Sequence, residues 1–158
     1  MARSNRTLTQ FVVDRILFSL KHGPEAVGRS EAGNTRVEAD IKDTTQLVVY
    51  LFENEIIRLV YSPQRRNQVI GAIISTGDFY DSSGRPSRTT RERLNGILDA
   101  LGTASVIPAG VRVFVKSDDG QCYLGKGDKV RVFNHKCPRL VILSDFIMSL
   151  NELCTAAK

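Results

Sequence analysis

The sequence predicts an α+β domain: mainly antiparallel sheet, a hairpin plus a C-terminal meander, packed with about three helices. Three patterns carry that expectation. Apolar residues recur at helical spacing in 7–21, 89–101 and 144–153, β-branched and aromatic residues dominate 45–61, and short alternating runs separated by turn residues fill 111–133. A break near Gly102–Pro108 would leave two halves that each bury little, so residues 1–158 are expected to form one domain.

The first helix is read from Leu8, Phe11, Val12, Ile16 and Leu20, with Asn5 or Thr7 as its cap and Gly23–Pro24 as its stop. Residues 25–35 are polar and read as a loop. Thr35–Ile41 alternates weakly, whereas Thr45–Phe52 and Ile56–Tyr61 form a strong hairpin about a Glu53–Asn54 turn. Val69–Ser75 adds a short strand. The loop 76–88 that follows is long, and such loops are often functional. Leu94, Ile97, Leu98 and Leu101 fall at i, i+3, i+4 and i+7 and define the buried stripe of a second helix. Thr89 and Glu92 have capping-box spacing, and Gly102 stands where a C-cap glycine belongs. The meander comprises Val111–Lys116, Cys122–Leu124 and Val130–Phe133, with turns at Asp118–Gly120 and Gly125–Asp128. Leu140–Leu143 is apolar. Ser144 then caps an expected third helix through Phe146, Ile147, Leu150 and Leu153.

Composition narrows the function classes. Cys122, Cys137 and Cys154 are odd in number and widely spaced, which argues against a disulfide framework or a zinc knuckle and for a reducing, cytoplasmic setting. Asp14 and Arg15 interrupt the first apolar stretch, so no membrane span is expected there. The formal charge of +5 is uneven. Residues 1–30 carry five bases and two acids, 31–61 three and six, 62–98 six and three, and 99–158 eight and six. All six bases of the third block are arginines, which points to an anionic partner.

Catalytic patterns are weak. The two histidines, His22 and His135, lack metal-ligand spacing. His135 and Cys137 read as loop neighbours rather than a thiol pair. Asp118–Asp119 precedes a glycine and reads as a turn, and Gly125-Lys126-Gly127 lacks the strand–loop–helix context of a phosphate loop. The chain is therefore expected to be no enzyme and to need no cofactor.

The strongest candidate site is the run Arg85–Asn95. It sets Arg85, Arg88, Arg91 and Arg93 around a helix start, where free amides favour anions and guanidinium groups offer bidentate donors. Arg91 and Asn95 share a face at i, i+4, and Arg65 and Arg66 extend the basic surface if the fold brings them near. The competing reading is structural, with Arg93 pairing to Glu53 or Glu55 and Asn95 tying the helix to the hairpin.

Four features resemble an uncharacterised domain family of phage genomes: Asn34-Thr35-x-Val37 before a strand, the hairpin around Val49–Val60, Ser75-x-Gly77, and Thr89-Thr90-x-x-Arg93-Leu94-Asn95 opening a helix. The resemblance spans Asn34–Leu98, and the Asp78–Arg88 loop is longer than the family pattern. It implies a small viral accessory protein at work in a bacterial cytoplasm. On these grounds the expected function is binding of an anionic partner, nucleic acid first. A protein-binding inhibitor of a host enzyme or defence complex, and a structural virion component, are the alternatives.

Overall fold

A computed structural model describes residues 4–143 and 146–149. Helix α1 (Asn5–His22) starts where the Ser4 hydroxyl accepts the Thr7 N–H at 3.2 Å. It stops where the Gly23 N–H donates to the Ser19 carbonyl at 2.7 Å. A single 3-10 turn, Pro24–Ala26, leads into strands β1 (Arg29–Ala32), β2 (Thr35–Ala39), β3 (Gln46–Leu51), β4 (Asn54–Tyr61) and β5 (Val69–Ser75). Helix α2 (Arg88–Thr103) follows, then β6 (Arg112–Val115), β7 (Cys122–Lys126) and β8 (Lys129–Val132), and finally β9 (Arg139–Leu143) and β10 (Phe146–Ser149).

Seven strands pair antiparallel in the order β1-β2-β3-β4-β5-β9-β10, and β6-β7-β8 form a separate three-stranded sheet. The α2–meander unit is thus an insertion between β5 and β9, which are neighbours in space but not in sequence. Register aligns Val37, Val49, Ile57, Ile74 and Leu140 in one row across five strands, and all five are fully buried. Helix residues Val12, Ile16, Leu94, Ile97, Leu98 and Leu101 close over that face in the same apolar core, which also takes in Val113, Cys122, Leu124 and Phe133 from the meander. Side chains alternate in a strand, so the residues one step along face the other way. There Arg36 lies over the Tyr50 ring at 4.1 Å and pairs with Glu38 at 3.3 Å, and Arg58 joins Glu55 at 2.7 Å and also Asp40. This ionic lattice, rather than a second layer of helices, finishes the outer face of β2–β4.

Several expectations are corrected. The caps are Ser4 and Ser87, each one residue before its helix, and not Asn5, Thr7 or Thr89. Glu92 engages Arg88 at 2.9 Å instead of closing a capping box. Gly102 lies inside α2 and Ala104 is the cap; a Cβ at Gly102 would come within 3.1 Å of the Ala109 backbone, so close packing explains the glycine. The expected loop 25–35 holds the 3-10 turn and β1. The β3–β4 turn is Phe52–Glu53, since Leu51 pairs with Asn54. The turn of the second meander hairpin is Gly127–Asp128, because Lys126 pairs with Lys129.

The third helix is not formed: Phe146–Ser149 pairs with β9 as a strand, leaving two α-helices among the described residues. The edge of β9 offers a row of main-chain donors and acceptors that overrides a short helical pattern. Ser144, Leu150 and Leu153 lie outside the described residues. No helix among the described residues is long and apolar enough to cross a membrane.

The Tyr61 hydroxyl, buried beneath α1, shares a short hydrogen bond with the Ser19 hydroxyl, and burial pushes its pKa up to about 12 from an ordinary 10.0. A raised folded-state pKa leaves its stabilising contribution whole below pH 10 and removes it as pH rises toward 12. Stability is therefore expected to fall through that window. Tyr61→Phe should cost about 1 kcal/mol at neutral pH through the lost hydrogen bond. Denaturant melts at stepped pH check this: the variant's stability should decline less steeply than the wild type's above pH 10.

Candidate nucleic-acid interface

The connection 76–87 is organised by one carboxylate. Asp81 Oδ1 accepts the backbone N–H of Ser83 at 2.9 Å and of Arg85 at 3.1 Å. Its Oδ2 accepts Arg85 Nε at 3.0 Å and sits 3.6 Å from Arg91 Nη1. Burial pushes this carboxyl up, but those donors outweigh burial and hold it below its ordinary range. Arg85 Nη1 also donates to the Gly120 carbonyl at 3.3 Å, fastening the connection to the first turn of the meander. Arg88, with its side chain 85% exposed, forms an i, i+4 pair with Glu92, an interaction worth a few tenths of a kcal/mol.

The other residues singled out in the sequence are placed differently. Arg93 is fully buried in α2; burial draws its pKa down and Glu92 partly opposes that. The hairpin acids considered as its partners are engaged elsewhere, Glu53 with Arg36 and Glu55 with Arg58. Asn95 Nδ2 donates to the Val113 carbonyl at 2.9 Å, and its Oδ1 accepts the Val113 N–H at 2.7 Å. One amide side chain thus completes the open edge of β6 as a strand would, and the tie runs to the meander, not to the β3–β4 hairpin.

Arg65 and Arg66 do not join the helix start. They occupy the β4–β5 turn at the far end of β4, and an eight-residue strand separates the two ends by roughly 23 Å. There Arg66 meets Glu25 at 2.6 Å. The fold therefore brings together Arg85 and Arg91 on Asp81, with Arg88 beside them on Glu92, and separates the rest. At this helix mouth, each of Arg85, Arg88 and Arg91 already has a carboxylate.

The reactive residue types serve local structure. Burial pushes the Cys122 thiol up to about 11, which keeps it protonated and unreactive at neutral pH. The His135 backbone N–H and ring Nδ1 reach the Gly84 carbonyl at 3.1 and 3.0 Å, and its ring meets Tyr80 edge-on, so it holds two loops together. Among the described residues no group of three or more His, Cys, Asp or Glu side chains is placed to hold a metal ion.

A surface missed in the sequence lies on the outward face of the meander. Register aligns Phe114, Tyr123 and Val132 in one row across β6, β7 and β8. Phe114 and Tyr123 are half-buried and stack at 6.0 Å with their planes 27° apart, and Val132 is 39% exposed. Lys116 Nζ sits 4.5 Å over the Tyr123 ring. The Tyr123 hydroxyl donates to Asp119 Oδ2 at 2.6 Å, which fixes the ring and holds the phenol above its ordinary pKa. Beyond the row, Arg112 shares the face, while Lys126 and Lys129 flank the β7–β8 turn three residues from Tyr123 and Val132 and so fall on the alternate face. A Cβ at Gly125 would lie 2.1 Å from the Lys129 carbonyl oxygen, so only glycine lets this hairpin close. Arg112 pairs with Asp99, whereas Lys116, Lys126 and Lys129 make no ion pair among the described residues. The alternation Arg112-x-Phe114-x-Lys116 was visible in the sequence, but only pairing with β7 and β8 reveals an aromatic row bracketed by cations.

Asn95→Ala should destabilise the fold by about 1–3 kcal/mol, because it strands the Val113 donor and acceptor at a part-buried edge. Arg88→Ala, an exposed helix pair, should change it by less than about 0.5 kcal/mol. Urea melts of the two variants beside the wild type check the contrast.

Comparisons with protein-family models, with curated proteins and with solved structures find no match to this chain.

Proposed function

We propose that this chain is a nucleic-acid-binding module that takes a single strand across the outward face of β6–β8. The observation that carries the reading is the stacked, half-exposed Phe114–Tyr123 pair with Lys116 over one ring and Arg112 on the same face beyond. Unstacked bases gain about 1–3 kcal/mol each on such aromatic faces, and Arg112 and Lys116, two residues either side of Phe114, are placed to meet phosphates. A duplex presents no free base faces, so the row selects single strands. Residues 104–143 carry seven bases and three acids, consistent with an anionic ligand on this part of the chain. The arginines at the start of α2 contribute to net charge and to long-range attraction, while their carboxylate partners make them poor direct contacts.

Fluorescence anisotropy with a labelled oligothymidine of about 15 nucleotides tests the reading. Binding should weaken steeply between about 50 and 200 mM salt, and Lys116→Ala should lower the salt slope by about 0.7. Phe114→Ala and Tyr123→Ala should each cost about 1–3 kcal/mol in affinity with the fold intact by circular dichroism, whereas Arg88→Ala should leave affinity nearly unchanged. Affinity indifferent to salt, or unchanged in the Phe114→Ala/Tyr123→Ala double variant, would sink the proposal.

A further inference from the structure

Two surface features outside the meander complement each other: an aromatic knob on a left-handed turn and an open apolar groove between the helices. The β3–β4 hairpin closes through Phe52 (φ 50) and Glu53 (φ 68), both in the left-handed region. A two-residue hairpin needs that geometry to match strand twist, and Asn-Gly adopts it with least strain. Phenylalanine is disfavoured there, because its Cβ crowds the following carbonyl. It gains little shelter in return: Phe52 is 53% exposed and meets the Phe79 ring edge-on, with ring centres 5.3 Å apart. The Phe79 carbonyl accepts the N–H of Ser87, the α2 cap, at 3.0 Å, so the knob stands on a fixed base. Turn geometry explains the backbone but not the choice of a large, exposed apolar side chain.

Between α1 and α2 runs a groove of ≈ 730 Å³ lined by Thr9, Val13, Leu17, Gly96, Ala100 and Ala104. Leu17 is 41% exposed. A Cβ at Gly96 would lie 2.1 Å from Thr9 Cγ2, so the absent side chain keeps the two helices close at this point. Charges at the rim are unequal. Asp99 and Glu92 are matched by Arg112 and Arg88, each at 2.9 Å, while Arg6 has no carboxylate among the described residues. The knob carries the opposite sign. Glu53 has a side chain 76% exposed despite its contact with Arg36, and Asp78, next to Phe79, is exposed and makes no ion pair among the described residues.

We propose that Phe52 of one copy inserts into the α1–α2 groove of a second copy, with Arg6 of the second meeting Glu53 and Asp78 of the first. Knob and groove are different patches, so the contact is heterologous and each copy keeps one free half for the next.

Sedimentation velocity of the full chain over a range of concentrations tests this. The wild type should show a mass above the monomer that rises with concentration. Phe52→Asn/Glu53→Gly installs the favoured turn pair; it should weaken association at least about tenfold while raising the melting temperature, which separates lost contact from lost folding. Leu17→Arg, on an exposed helix position, should weaken association alike. Mixed in equal amounts, the two variants retain one intact groove and one intact knob between them and should form a dimer that grows no further. A wild type monomeric throughout would overturn the proposal and leave the groove to a different protein. Unchanged mass in either variant, or no dimer on mixing, would overturn it as well.

Discussion

The rest of the structure depends on the buried row Val37–Val49–Ile57–Ile74–Leu140. It crosses five strands, seats both helices, and includes the one non-sequential strand pairing among the described residues, β5 with β9. That pairing closes the insertion holding α2 and the meander, so the location of the aromatic row on β6–β8 follows from it. The row also sets register. Sliding a strand by one residue would exchange it with the opposite row, where Glu38 and Arg58 flank Val48, and bury charge in the apolar core. The ionic pairs of Arg36 with Glu38 and of Arg58 with Asp40 and Glu55 are largely sheltered, with side chains 13–22% exposed. They are geometrically demanding and favour the same alignment as the apolar row.

Arginine here is chiefly a structural residue. Asp81 gathers Arg85 and Arg91, Glu92 takes Arg88, Glu25 takes Arg66, and Arg93 fills the core. A planar, multidentate cation suits such work, since one guanidinium can tie a loop, a helix and a neighbouring carbonyl at once, as Arg85 does with Asp81 and Gly120. Lysine is a point charge on a flexible stem and has no comparable tying geometry. Lys126 and Lys129 of the meander accordingly are exposed and make no ion pair among the described residues, whereas Lys116 lies over the Tyr123 ring beside Asp119. Net charge by sequence block therefore does not by itself place the open cations: Arg85, Arg88 and Arg91 each lie beside a carboxylate, while Lys126 and Lys129 make no ion pair among the described residues.

The same reasoning separates the molecule's two candidate contact regions by chemistry. The meander row combines flat aromatic faces with cations, which suits bases joined by phosphates. The Phe52 turn and the interhelical groove combine apolar shape with a few opposed charges, which suits protein surfaces.

Much of the fold was legible in the sequence, because period and propensity act locally. The stripe of α2, the hairpin 45–61, the strand Val69–Ser75 and the meander all follow from spacing alone, and the buried positions Leu94, Ile97, Leu98 and Leu101 were identifiable residue by residue. Whatever required knowledge of a neighbour was not legible. Phe146–Ser149 carries a pattern compatible with a helix and becomes a strand because β9 offers it hydrogen bonds. Asn95 reads in the sequence as an anion contact or a tie to the hairpin, and its pairing with Val113 is seen only once β6 lies beside it. Likewise, Phe114 and Tyr123 stand nine positions apart and unite only through cross-strand pairing, and that Arg85 and Arg91 share Asp81 while Arg88 meets Glu92 is seen only in the fold. Local periodicity determined the elements. Electrostatic partners and cross-strand neighbours, which depend on distance in space rather than along the chain, were decided only by the tertiary structure.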